Sequence, residues 1–262
     1  MNSPIAQDPP IECEYREGIA IITLNRPKQY NALSVAMLDS LHAELDRLQV
    51  DASARVLVIA AHGKAYCAGH DLKELKASND EAVVRRLFER CTEMMLKIAR
   101  LPFPVIAEVG GMATAAGCQL VAQCDLAVAS DDAKFAVSGV NLGLFCATPA
   151  VPLSRSISRK RAAEMLMTGE FINAATAREW GLINRVASTE NLRAETLKLA
   201  ETLKAKPRET LALGKALFYR QLDVGIEVAY QDASATISGN FMRADAQEGV
   251  AAFLEKRKPV WE

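Results

Sequence analysis

Residues 55–72 read Arg-Val-Leu-Val-Ile-Ala-Ala-His-Gly-Lys-Ala-Tyr-Cys-Ala-Gly-His-Asp-Leu. The first six, 55–60, are almost wholly apolar and β-branched. Such a run fits a strand buried on both faces, as in a parallel sheet. A bend of small residues, 62–72, comes at the C-terminal end of that strand. Open α/β proteins place ligands there.

The pattern repeats downstream. Residues 105–109 predict a second apolar strand, and Gly110 to Leu120 form a second small-residue bend that opens a short helix through Gln123. Strands are also expected at 19–24, 125–129 and 134–137. Leucines three and four apart predict a helix over 34–50, capped by Asn31 or Ser34. A further helix is expected over 80–100, with Val84, Leu87, Cys91, Met94 or Met95, and Ile98 on one side. From 159 onward the spacing is helical: 159–167, 174–180, 192–206, 208–222, 226–242 and 245–256. Strand–helix–strand order favours parallel pairing with right-handed crossovers. We therefore expect an α/β body over 1–195 and a helical region over 196–262.

Composition narrows the function classes. The chain has 262 residues, half of them hydrophobic, and its 31 basic and 32 acidic side chains leave a net charge of −1. A chain of this length buries about 70–75% of its surface on folding, enough for a substantial core. The balance excludes disorder and a disulfide-stapled miniprotein, and it gives nucleic-acid binding little support. The six cysteines form no Cys-x-x-Cys pair, and three histidines are too few for a histidine-rich metal cage, so no metal is expected. Most of the cysteines are read as buried apolar residues, and the reading of Cys67 and Cys146 stays open because of where they fall in the chain. The first ten residues lack the features of a secretory or transit leader, and no run is long enough to span a bilayer. The reading is a soluble intracellular protein. It would be cytoplasmic, or in the mitochondrial matrix if the source is eukaryotic.

The two bends carry the candidate chemistry. Small residues let backbone N–H groups approach a ligand, and the second bend presents the free N–H groups of a helix start. Two such groups on one carbonyl make an oxyanion hole, in which one donor contributes about 3–4 kcal/mol to the transition state. Packing alone also explains two tight bends, so spacing leaves both readings open.

Several motifs decide between them: 24–28 (Leu-Asn-Arg-Pro-Lys) with 31–33 (Asn-Ala-Leu), 67–72, 104–107, 124–127 and 248–258. In this order and spacing the chain resembles the crotonase (enoyl-CoA hydratase/isomerase) superfamily over residues 15–258. Its Ala-Gly-His-Asp-Leu-Lys-Glu-Leu and Ala-Thr-Ala-Ala-Gly-Cys-Gln-Leu stretches resemble one branch, the enoyl-CoA hydratase domain-containing proteins. The resemblance implies a spiral of ββα units and a C-terminal trimerisation region, giving a homotrimer or a dimer of trimers. It implies no permanently bound cofactor, and a coenzyme A thioester as substrate or ligand. The thioester oxygen would lie between the backbone N–H groups of His70 and Ala116. Lys28 would contact coenzyme A, and Lys64, Ala65, Tyr66 and Ala68 would wrap its adenine. Phe253 and Lys256 would reach coenzyme A from a neighbouring subunit.

The sequence departs from the family at two positions. Hydratases of this kind use two glutamates, and here those positions are Gln119 and Gly139. An amide exchanges no proton near pH 7, and each lost acid–base group costs about 10²–10⁴-fold. Ordinary two-glutamate hydration is therefore not expected. Hydration created by Gln119→Glu together with Gly139→Glu would show that the rest of the apparatus is intact. Other residues are candidates for chemistry. His70 is either a proton shuttle or a locally bonded turn residue. Asp71 is read as the cap of a helix starting near Leu72. Glu108 is read as a surface or interface charge. Cys146 is a nucleophile lacking a histidine partner, with Thr148 beside it in sequence. Asn141 and Gln119 are candidates to hold a water. Two readings stand: an enzyme using enolate stabilisation, or a catalytically inactive acyl-CoA-binding module. A scaffold or RNA-binding role has little support.

Overall fold

The computed structural model describes residues 8–78 and 80–261. The leader question bears mostly on residues 1–7, which lie outside that range. Ten strands and eleven helices alternate along the described chain. In order, the body contains β1 (Ile11–Arg16), β2 (Ile19–Leu24), α1 (Val35–Val50), β3 (Val56–Ala61), β4 (Ala65–Cys67), α2 (Leu72–Ala77) and α3 (Glu81–Arg100). Next come β5 (Val105–Val109), β6 (Met112–Thr114), α4 (Ala116–Gln123), β7 (Leu126–Ser130), β8 (Lys134–Ala136), α5 (Ala147–Ser156) and α6 (Arg159–Thr168). The chain continues with β9 (Ile172–Asn173), α7 (Ala174–Trp180), β10 (Arg185–Ala187), α8 (Leu192–Lys204), α9 (Arg208–Gln221), α10 (Ile226–Phe241) and α11 (Ala244–Leu254).

The strands divide between two sheets, ordered β1-β2-β3-β5-β7-β10 and β4-β6-β8-β9. Three times the chain lays one strand in the larger sheet, a short one in the smaller sheet, and then turns into helix: β3-β4-α2, β5-β6-α4 and β7-β8-α5. Within each sheet these strands pair in parallel. This is the expected spiral of ββα units. The sequence pattern places β2 and β5 at their observed limits and the other long strands and helices within a residue or two. It shows β4 and β6 only as parts of bends. It gives no sign of β1, β9, β10, or α5, which carries Pro149 and Pro152.

Alternation explains why β2, β3 and β5 are buried on both faces. Ile22, Leu57, Ile59, Val105 and Ala107 face the main core with α1 and α3. Ile19, Ile21, Val56, Val58 and Ile106 face a second core, closed by Leu192, Leu199 and Ala200 of α8. The expected division at 195/196 falls inside α8.

Helices α9 and α10 contain no fully buried residue. A polar clamp fixes α9 to the body. The Lys215 ammonium lies 2.7 Å from Asp125 and donates to the carbonyls of Ile98 (2.9 Å) and Phe103 (3.0 Å). Asp125 also accepts from Tyr219 (2.7 Å) and from the Val105 N–H (2.7 Å). A buried charge is tolerable when every donor and acceptor is met in this way. Among the described residues no helix is long and apolar enough to cross a membrane.

Candidate functional site

The two bends pack directly on each other. Gly69 has φ +94°, and a Cβ there would lie 2.9 Å from Ala115 Cβ and 3.3 Å from Ala116 N. Only glycine permits both that conformation and that approach. A Cβ on Gly117 would lie 2.0 Å from the Cys67 carbonyl oxygen, so α4 sits hard against β4.

This packing leaves two amides unspent. Leu33 pairs with His70 as a parallel bridge: Leu33 N–H donates to Gly69 O (2.8 Å), and Asp71 N–H donates to Leu33 O (3.3 Å). In that pattern the N–H of His70 itself points away from Leu33. Ala116 opens α4, where the first N–H groups have no intrahelical partner. No side chain caps this start, and Ala115 before it holds a positive φ of 50°. Such strain in a non-glycine residue concentrates at functional sites.

His70, Ala68, Ala115 and Ala116 all line one cavity of about 900 Å³. Its walls come from α2, α3 and the 138–149 segment, and its lining is mostly apolar. The His70 ring meets Phe88 edge to face at 4.8 Å. Both ring nitrogens are buried, and neither has a well-formed hydrogen bond among the described residues. Burial pushes the imidazole down to about 4, against a smaller opposing effect of the Leu33 backbone, so it is neutral at pH 7.

The other candidates fall as follows. Asp71 caps α2 by accepting from the Lys73 N–H at 3.1 Å, as expected. Glu108 is buried, not at the surface; it faces the second core and pairs with Arg193 at 2.9 Å, away from the cavity. Burial raises its carboxyl pKa against the lowering effect of Arg193. Cys67 is buried and its thiol is pushed up to about 12. Cys146 lines the cavity with Thr148 but is itself buried, which raises its thiol. Its Sγ accepts the Gly139 N–H at 3.3 Å, so nothing activates it as a nucleophile. Of the six cysteines only Cys13 is exposed, and all are free. Asn141 donates to the Gly169 carbonyl at 3.4 Å and does not line the cavity.

Gly139 lines the cavity, but its missing side chain leaves no vacancy. A Cβ there would lie 2.6 Å from Leu144 O and 2.7 Å from Cys146 Sγ. A glutamate would require the 144–146 loop to move. Gln119 is 3% exposed, its Oε1 has no partner among the described residues, and it is not part of the cavity lining. Lys28 and Lys64 are exposed, with the Lys64 ammonium 5.6 Å from the Tyr30 ring centroid. Ala65 and Tyr66 bury their side chains, so a ligand there would meet backbone. Phe253 is 82% exposed, and like Lys256 it lies outside the cavity lining.

Sequence reasoning missed the α3 wall: Glu81, Val84, Arg85, Phe88, Glu89 and Glu93 all line the cavity. Only the core-facing stripe of that helix stands out in the pattern. The signal was Phe88, an aromatic residue off the stripe, set among charges spaced four apart.

Comparison with known proteins agrees with this geometry. The enoyl-CoA hydratase/isomerase family model matches residues 14–262. The mitochondrial enoyl-CoA hydratase domain-containing protein 3 of Mus musculus is 47% identical, over 94% of this chain and 82% of that protein. A crystal structure of enoyl-CoA hydratase from Mycobacterium smegmatis superimposes with a TM-score of 0.95 at 55% identity, covering 97% of this chain and 99% of that one. The crystal structure of human enoyl-CoA hydratase domain-containing protein 3 gives a TM-score of 0.93 at 45% identity, covering 96% of this chain and 100% of that one. The chain thus belongs to the enoyl-CoA hydratase/isomerase family, with the crotonase fold.

Proposed function

We propose that the chain binds acyl-coenzyme A thioesters and stabilises their enolates without the two-glutamate hydration reaction. One observation carries this: the bends at Gly69 and Ala116 lock together at a cavity and leave the N–H groups of His70 and Ala116 without partners among the described residues. Negative charge developing on a thioester oxygen needs donors fixed before the reaction, and backbone amides fill that role. On this reading Lys28, Lys64 and the 65–68 backbone take the nucleotide end. Phe253 and Lys256 serve the site of a neighbouring copy. The exposed Ile226, Tyr230, Ile237, Phe241 and Phe253 support association through the C-terminal helices, as a homotrimer or a dimer of trimers. Among the described residues no group suited to a metal was found, and the reading requires none. The matrix location follows the mitochondrial names of relatives such as the mouse protein if the source is eukaryotic, and otherwise the cytoplasm is expected.

A second reading is a binding module without turnover. The closed space at Gly139 and the buried amide of Gln119 favour it. Three measurements separate the two. Acetoacetyl-CoA titration reports binding, crotonyl-CoA absorbance reports hydration, and proton NMR of butyryl-CoA in D₂O reports α-proton exchange. The enolate reading expects binding, no hydration, and exchange in which the neutral imidazole of His70, which lines the cavity, takes the α-proton and returns a deuteron. Binding without exchange favours the second reading. Failure to retain any coenzyme A ester sinks both.

A further inference from the structure

The charges on the cavity wall are uneven. Arg85 is the one cationic side chain lining it among the described residues, and it is spent on Glu81 at 2.9 Å. Glu89 and Glu93 follow one and two turns along α3 and line the same cavity. Neither holds an ion pair or hydrogen bond among the described residues. Three carboxylates against one guanidinium leave the wall two negative charges. Around them the lining is aliphatic and aromatic, including Leu72, Leu75, Val84, Phe88, Leu142 and Phe145. The other two titratable groups, His70 and Cys146, are kept neutral by burial and supply no counter-charge.

We propose that this cavity selects thioesters with an aliphatic acyl chain uncharged at its far end, and rejects those ending in a carboxylate. The inference rests on the reading that the acyl group lies in this cavity. A neutral chain gains by burying methylenes against the apolar lining, about three- to fourfold in affinity for each one buried. A terminal carboxylate must leave water and approach two unpaired carboxylates. Desolvation and like-charge repulsion then act in the same direction. Glu89 and Glu93 are themselves exposed at the cavity wall, so water screens the repulsion, and together the two effects amount to roughly a tenfold penalty.

The test is competitive titration with three esters of equal chain length: hexanoyl-CoA, its ω-carboxylate analogue adipoyl-CoA, and the corresponding ω-carboxamide. Hexanoyl-CoA should bind tightest, the amide less well, and adipoyl-CoA weakest, at least about tenfold below hexanoyl-CoA. In the double variant Glu89→Gln, Glu93→Gln the hexanoyl-to-adipoyl ratio should shrink by about fivefold or more, because the repulsive part is removed and the desolvation part remains. Raising the salt should shrink the same ratio in the unmodified protein, a check that needs no variant. The ratio also cancels any effect of salt on coenzyme A itself. Equal binding of hexanoyl-CoA and adipoyl-CoA overturns the inference and leaves the thioester reading standing. So does a ratio indifferent to both salt and substitution. If hexanoyl-CoA is not retained either, the thioester reading falls and takes this inference with it.

Discussion

Two places on the cavity wall, the junction of the two bends and the turn at Gly139, are closed in opposite ways. At Gly69 and Ala116, backbone meets backbone, and the packing leaves two amides without partners among the described residues. At Gly139, the 144–146 loop folds into the space a side chain would need, and Cys146 Sγ takes the glycine amide. On the proposed reading the junction offers its amides to a carbonyl. Position 139 has neither a carboxylate nor room for one. Tight packing thus has opposite consequences within one cavity: at the junction it frees backbone donors, and at Gly139 it excludes a side chain.

The comparison breaks first if the backbone contact is less tight than described. Gly117→Ala drives a Cβ to 2.0 Å from a backbone carbonyl oxygen, which cannot rotate away. Overpacking of this kind should cost about 3 kcal/mol. Urea unfolding would measure it, and a midpoint unchanged from the parent protein would show that α4 and β4 have slack. Gly139→Glu should cost less, about 2 kcal/mol, because the opposing loop lies partly at the surface and has somewhere to go. It should yield no hydration of crotonyl-CoA, even combined with Gln119→Glu. Measurable hydration would mean that the turn at Gly139 opens at little cost.

The sign of the His70 shift gives a third test. Burial lowers its folded pKa from 6.5 to about 4. Between those values the unfolded chain holds the proton and the folded chain does not. Stability is therefore full above pH 6.5 and falls as the pH drops toward 4. With a discount for partial exposure, the loss should be on the order of 1–2 kcal/mol. His70→Phe should lack that component in denaturation curves taken at pH 7 and pH 4. Equal acid sensitivity in both proteins would mean the imidazole is not held neutral by burial.

How much of this is legible in the sequence depends on the period of the pattern. The two-faced strands Ile19–Leu24 and Val105–Val109 are apolar runs with clear breakers, and the sequence places them correctly. The strand Ile11–Arg16 escapes because Glu12, Glu14 and Arg16 dominate it, although Ile11, Cys13 and Tyr15 alternate between them. The three-residue strands Ala65–Cys67 and Met112–Thr114 are too short to show any period. The absent carboxylates at 119 and 139 are readable as letters. That Leu144 and Cys146 fill the space before Gly139 is not, because a loop's path is set by tertiary packing and leaves no spacing in the sequence. The same limit hides the α3 wall: a helix shows its core stripe in sequence, but not which of its charged faces borders a cavity.

The smallest expected effect concerns the residue that follows His70 in the first bend. Asp71 is a carboxylate beside His70, and its position alone would suit an acid or a base. The structure gives it another task, accepting from the Lys73 N–H at the start of α2, with Arg26 3.8 Å away. A capping role and a proton-transfer role make different demands. A cap needs an oxygen at the right distance and no titration, and asparagine supplies that about as well as aspartate. A base needs the charge. Asp71→Ala should therefore lose about 1 kcal/mol of stability, whereas Asp71→Asn should keep most of it. The α-proton exchange of butyryl-CoA should rank the variants in the same order, with the asparagine variant near the parent rate. If asparagine preserves stability but not exchange, Asp71 carries a proton. The first bend would then hold chemistry in a side chain as well as in an amide, and the contrast with Gly139 would need redrawing.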